Sequence, residues 1–192
     1  MIGRLLRKPL AWVVVAVLAV GGGLGLYWFQ PWKIVTDKEV NETLAVASTP
    51  DTPATTSPAS DPPSDPASDP ASDPPSGPVV VRQGEFISQE HETSGTARVL
   101  RRPDGSHRLE LVDLDTSNGP DLRVWLSDQP VRDGVRGWRV FDDGDWVELG
   151  KLKGNKGDQA YAIPAGTDLD RLGSVSIWCK RFSVSFGAAA LT

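Results

Sequence analysis

The sequence is poor in the residues that most often carry chemistry. Its 192 residues hold one cysteine, one methionine and two histidines. A single thiol, Cys179, excludes an internal disulfide framework. The only methionine is Met1, so no thioether is available as a ligand within a fold. His91 and His107 stand in no His-x-x-x-His, Cys-x-x-Cys or Gly-x-Ser-x-Gly setting, which removes the metal and nucleophile motifs that depend on those spacings. A basic excess is also missing. Lysine and arginine total 20 against 25 acidic residues, a net charge of −5. Residues 1–78 carry 5 basic and 8 acidic side chains, and residues 79–192 carry 15 and 17. Neither part would concentrate phosphate backbones, so nucleic acid is excluded as a partner.

What is present is unevenly spread. Leu10 to Phe29 is a run of twenty residues without a charge. At about 1.5 Å per residue it matches a hydrocarbon core of roughly 30 Å. Arg4, Arg7 and Lys8 precede it and only Lys33 follows closely, so the positive-inside bias predicts a cytoplasmic N-terminus (1–9) and a single-pass anchor (10–29). Trp12, Tyr27, Trp28 and Trp32 lie near its two ends, where amphipathic rings favour headgroups. The bulky Tyr-Trp-Phe-Gln-Pro-Trp that closes the run does not suit signal peptidase, which needs small residues, and argues for an uncleaved signal-anchor. The expected setting is a cell membrane, with the lipid bilayer as partner of residues 10–29 and the remainder periplasmic or extracellular.

Residues 30–78 read as a disordered stalk. Most of the sixteen prolines fall here, in the repeat Ser60-Asp-Pro-Pro, Ser64-Asp-Pro-Ala, Ser68-Asp-Pro-Ala, Ser72-Asp-Pro-Pro. Proline at every fourth position removes backbone donors, and almost nothing apolar is available to bury. Forty such residues at roughly 3 Å each would reach on the order of 100 Å.

Residues 79–192 have the length of one domain. Apolar residues recur at period two: Leu122, Val124 and Leu126; Val175 and Ile177; Phe182, Val184 and Phe186. Turn signals separate the runs at Pro103-Asp-Gly-Ser, Ser117-Asn-Gly-Pro, Asp142-Asp-Gly-Asp, Gly154-Asn-Lys-Gly and Pro164-Ala-Gly-Thr. This pattern predicts an all-β antiparallel sandwich or barrel. Asp168-Leu-Asp-Arg-Leu reads as one helical turn. From Ser174 to Phe186 the apolar phase slips at Cys179-Lys180-Arg181, which predicts a bulge or corner at the lone thiol.

Few groups compete for a chemical role. His107 follows a turn signal and reads as a solvated turn residue. Asp142, Asp143, Asp145 and Glu148 lack the full oxygen-ligand pattern of a calcium loop and read as an acidic turn. Cys179 is the exception. A buried cysteine is ordinarily a small apolar filler, but the phase slip and the adjacent Lys180 and Arg181 favour a thiolate if they approach it. Such a thiolate serves as a redox group, or as an axial haem ligand with His91 as the second candidate. Trp125, Trp138 and Trp146 offer the alternative of an aromatic contact surface for a glycan or protein.

The strings His91-Glu-Thr-Ser-Gly-Thr-Ala, Leu109-Glu-Leu, Asn118-Gly-Pro-Asp-Leu-Arg-Val-Trp-Leu-Ser, Leu149 through Pro164, and Ile177-Trp-Cys-Lys-Arg-Phe through Leu191 resemble the DM-thirteen, or electron transfer DM, domain over about residues 86–191. The resemblance implies a β-sandwich similar to DOMON domains, which bind haem or sugar. The family's cysteine falls on Cys179 and is proposed there as a redox thiol or prosthetic-group ligand; His91 matches the histidine ahead of Ser-Gly-Thr. Together these readings predict a membrane-anchored extracytoplasmic electron-transfer module, haem being its candidate cofactor and its redox partner unidentified. The alternative is a non-catalytic surface or envelope binding module. No nucleophile and base pair up as they would in a hydrolase or transferase.

Overall fold

The computed structural model describes residues 9–29, 36–46 and 77–192. The N-terminal segment 1–8 and the Ser-Asp-Pro repeat lie outside the described residues. Helix α1 spans Pro9–Phe29, 21 residues, over the expected apolar run. Among the described residues, however, no helix is long and apolar enough to cross a membrane. Side chains are described only from Trp12 to Trp28, about 25 Å of helical rise against roughly 30 Å of hydrocarbon. Gly21, Gly22, Gly23 and Gly25 dilute that stretch further. The expected transmembrane span over 10–29 is therefore not carried by the structure.

The rest is all-β. Eight strands follow in order: β1 Val79–Ser88, β2 Thr93–Arg101, β3 His107–Thr116, β4 Leu122–Ser127, β5 Trp146–Lys151, β6 Lys156–Ile163, β7 Ser174–Cys179 and β8 Val184–Ala190. They form one antiparallel sheet in the order β5-β4-β7-β8-β1-β2-β3-β6. Strand β1 makes the fold turn over. Its first part, Val79 to Glu85, pairs with β2, and its last part, Phe86 to Ser88, pairs with β8. The two halves face each other and the outer strands β5 and β6 come near, so the sheet nearly closes into a barrel. This architecture fits the all-β sandwich expected from period-two alternation.

The alternation shows directly in the core. Val99, Leu109, Leu111, Val124, Leu126, Val175 and Ile177 are fully buried between the two halves. Removing each such side chain from water contributes about 1.5–3 kcal/mol. A second, smaller core lies on the outer face of β4, β7 and β8, where Phe141 folds back over Trp125, Trp178 and Ala188. Turns fall where glycine, proline and aspartate predicted them. The Asp168 segment is a single helical turn: Leu172 N–H donates to the Asp168 carbonyl at 2.9 Å, and the Asp168 carboxylate caps Asp170 and Arg171 at 3.1 Å each.

Two expectations change. The phase slip at Cys179 falls at a strand end, one residue after a register shift in the β7–β8 pairing between Ile177 and Trp178. β7 ends at Cys179 and β8 begins at Val184, so residues 180–183 are a hairpin turn, with Ser183 in the left-handed region at φ 48°. Phe182 rides on that turn, 45 % exposed, rather than lining the core. Residues 36–46, assigned to the stalk by composition, lie along the free edge of β6 instead. Glu39 bridges Lys156 in parallel register, Val40 N–H donates to the Lys156 carbonyl at 2.9 Å, and Glu42 N–H donates to the Asp158 carbonyl at 3.0 Å.

Candidate functional site

Cys179 ends β7, opposite Leu122 of β4 and Val184 of β8. It is fully buried and free, within the main core. The hairpin turn closes directly after it: Phe182 N–H donates to the Cys179 carbonyl at 3.2 Å, and Lys180 N–H donates to the Asp121 carbonyl at 3.0 Å. Burial pushes the thiol's pKa above its ordinary value, because a thiolate would lose its hydration there. The neighbouring backbone amides of Phe182, Arg181 and Asp121 act in the opposite sense, toward the anion. Burial is the larger effect. Lys180 and Arg181, expected to favour a thiolate, lie on the turn with their side chains exposed; Lys180 reaches Glu148 at 3.6 Å.

His91 sits elsewhere. Its ring packs on Phe186 with centroids 3.8 Å apart, its backbone N–H donates to the Phe186 carbonyl at 3.3 Å, and its Nε2 is 3.7 Å from Glu90. No described hydrogen bond, ion pair or ring contact joins it to Cys179, and neither residue lines a described cavity. A haem held between the two would need open space on both faces of its ring. The sulfur has apolar neighbours there and the imidazole has Phe186. The pair does not fit haem ligation.

The other candidates are spread apart. His107 opens β3, pairing with Arg101 and Ile163 rather than sitting in the turn itself. Glu148 accepts from Arg123 Nη1 at 2.7 Å, and Asp145 pairs with Arg171. Among the described residues no three His, Cys, Asp or Glu side chains gather as a metal centre. The tryptophans do not make an aromatic platform either. Trp125 is 3 % exposed and stacks beneath Trp146 at 3.9 Å, which leaves Trp146 alone with an open face among the three.

Sequence reasoning missed a polar cluster under residues 36–46. Glu110 of β3 is completely buried, yet it accepts from Arg98 Nε at 2.9 Å and Nη2 at 2.7 Å, and from Ala45 N–H at 3.0 Å. Arg108 lies 3.3 Å from the same carboxylate. Beside it, Gln159 is buried and satisfied by Lys153 N–H, Gly154 N–H, the Gly154 carbonyl and the Tyr161 hydroxyl. The one available signal was period two itself: Glu110 is a charged residue between core residues Leu109 and Leu111 in a strand.

An all-β module closed around one buried thiol at a hairpin is the class these features define. The family model described as electron transfer DM13 matches residues 85–191, more than half of the chain. The chain belongs to the electron transfer DM13 family. No curated protein and no solved structure gives a significant match.

Proposed function

We propose that this is a membrane-anchored, extracytoplasmic electron-transfer module whose redox group is the Cys179 thiol. Family membership supports the redox role. The observation that carries the choice of residue is the placement of Cys179, the only cysteine, at the end of β7 directly before the 180–183 hairpin turn. With one sulfur, a two-electron exchange passes through a partner: the Cys179 thiolate attacks a partner disulfide, a mixed disulfide forms, and the partner's second sulfur leaves as thiolate. Because the sulfur is fully buried, that attack requires the 180–183 turn to swing open.

The anchor reading rests on the sequence, since the described side chains of α1 stop short of a full span. Support comes from the uncharged run 10–29, the three basic residues ahead of it, and the exposure of Val17, Leu18 and Leu24 at 64, 69 and 63 %. Basic residues on one flank place that flank in the cytoplasm.

The test is exchange with an oxidised glutathione buffer, followed by intact mass of the full chain. The wild type takes up one glutathione, released by reductant, and Cys179→Ser takes up none. A wild type that stays unmodified throughout, while its chemically unfolded form reacts, removes Cys179 from electron transfer.

A further inference from the structure

The composition of residues 30–78 suggests a continuous spacer, but residues 36–46 are seated in a built site. Their backbone pairs with β6 through Val40 and Glu42, while Lys38 N–H donates to Asn155 Oδ1 at 2.7 Å and Asn155 Nδ2 donates to Asp37 at 2.8 Å. Charge matches along the length. Lys153 Nζ donates to both Glu42 oxygens at 2.6 and 2.9 Å, Lys156 lies 3.7 Å from Asp37, and Arg98 Nη2 donates to the Ala45 carbonyl at 3.0 Å. Ala45 N–H reaches the buried Glu110, the arrangement that gives that carboxylate its backbone donor. The floor is cut to fit. A Cβ on Gly154 would lie 2.3 Å from the Lys38 carbonyl oxygen and 2.7 Å from Val40, and one on Gly157 would lie 2.3 Å from the Val40 carbonyl oxygen.

We propose that the β6 edge, with its Lys153, Lys156, Arg98 and Arg108 border, is a receptor for an extended acidic segment, filled in cis by residues 36–46 of the same chain. The consequence is a change of tether. With residues 36–46 held on the domain, only the six residues 30–35 separate α1 from the docked segment along the chain. Six residues span at most about 20 Å. With the segment released, residues 30–76 would span up to about 150 Å in extended form. Occupancy of one strand edge therefore sets how far the thiol domain stands from α1. Filling the edge also removes the row of unpaired groups on which foreign strands add.

Hydrogen exchange on the full chain tests this. The Val40 and Glu42 amides are expected to exchange at least about a hundredfold more slowly than in an unstructured peptide. Gly154→Ala is expected to erase that protection, because the three atoms nearest its Cβ all belong to residues 38 and 40. Glu42→Lys should do the same, and Lys153→Glu added to Glu42→Lys should restore it, while Leu109 and Ile177 amides stay protected throughout. Peptide-like exchange at Val40 and Glu42 in the wild type overturns the proposal, as does protection that survives both single variants. Protection that appears only with a dimeric mass assigns the segment to a second copy and overturns the cis arrangement.

Discussion

Replacing Glu110 by glutamine removes one negative charge and leaves the side chain's shape almost unchanged. In the wild type that carboxylate is 0 % exposed and bonds Arg98 twice, lies 3.3 Å from Arg108, and accepts from Ala45 N–H. Both guanidinium side chains are themselves about four-fifths buried, 23 and 21 % exposed. Removing one partner of a buried pair costs about 3–5 kcal/mol, since the remaining charge keeps its desolvation penalty without its compensation. The glutamine keeps one acceptor, which places Glu110→Gln near the lower end, about 3 kcal/mol. A domain of the size of residues 77–192 unfolds with roughly 2.1 cal/mol/K per residue, about 0.24 kcal/mol/K in all, so the melting temperature should fall by about 12 °C. Glu42→Gln is the internal comparison. Its pair with Lys153 is 34 and 38 % exposed, and solvent-screened pairs contribute at most about 1 kcal/mol, or about 4 °C on the same scale. Thermal melts followed by circular dichroism read both. A Glu110→Gln melt within about 3 °C of wild type, or one no lower than Glu42→Gln, would refute the reasoning from burial.

Three further outcomes are expected. Acid should release residues 36–46: the hydrogen bond from Lys153 holds the Glu42 carboxyl below its ordinary value of 4.5. Its contribution to docking is therefore complete above that value and lost as pH falls through the lower folded one, and exchange of the Val40 and Glu42 amides between pH 6 and 3 would show it. Tyr161, buried with its hydroxyl on Gln159, has its pKa driven well above the ordinary tyrosine range by desolvation. Its share of stability is full below the unfolded value of about 10 and is lost as pH rises beyond it, so phenolate absorbance from Tyr161 should appear together with loss of β-sheet circular dichroism; appearance in the folded protein would contradict this. Gly84→Ala should destabilise by at least about 3 kcal/mol, as a severe overpacking, because its Cβ would meet the Ala190 carbonyl oxygen at 1.8 Å; denaturant titration with an unchanged midpoint would count against the β1–β8 approach.

The strands were legible because one side of each faces a single core. Leu122, Val124 and Leu126 announce β4 on their own, and Pro103-Asp-Gly-Ser announces the β2–β3 turn. β7 and β8 are where that reasoning falters. They are buried on both faces, so the serines that alternate with the apolar residues are interior too: Ser176 and Ser185 hydrogen-bond each other at 2.9 Å. Alternation carries no information about a second core on the outer face, which comes from Phe141, forty residues away in the chain from Arg181. For the same reason the exposure of the Cys179 side chain was not readable, although its place at a break between two strands was. Residues 36–46 were hidden by context: Asp37-Lys-Glu-Val-Asn-Glu resembles linker beside a proline repeat, and its receptor is encoded far along the chain, Glu110 some 65 residues after Ala45 and Gly154 and Gly157 more than a hundred residues later. Long-range pairing of one short strand leaves no local signature.

Native-state alkylation of Cys179, measured across low denaturant concentrations, tests the claim that the sulfur is a working group behind a movable turn. With the 180–183 turn opening locally at a cost of about 4 kcal/mol, the rate should lie about a thousandfold below that of the unfolded chain and hardly respond to denaturant until the unfolding transition. A rate that instead follows global unfolding from the first increment, with no local route to the sulfur, would make Cys179 a core side chain and contradict the account.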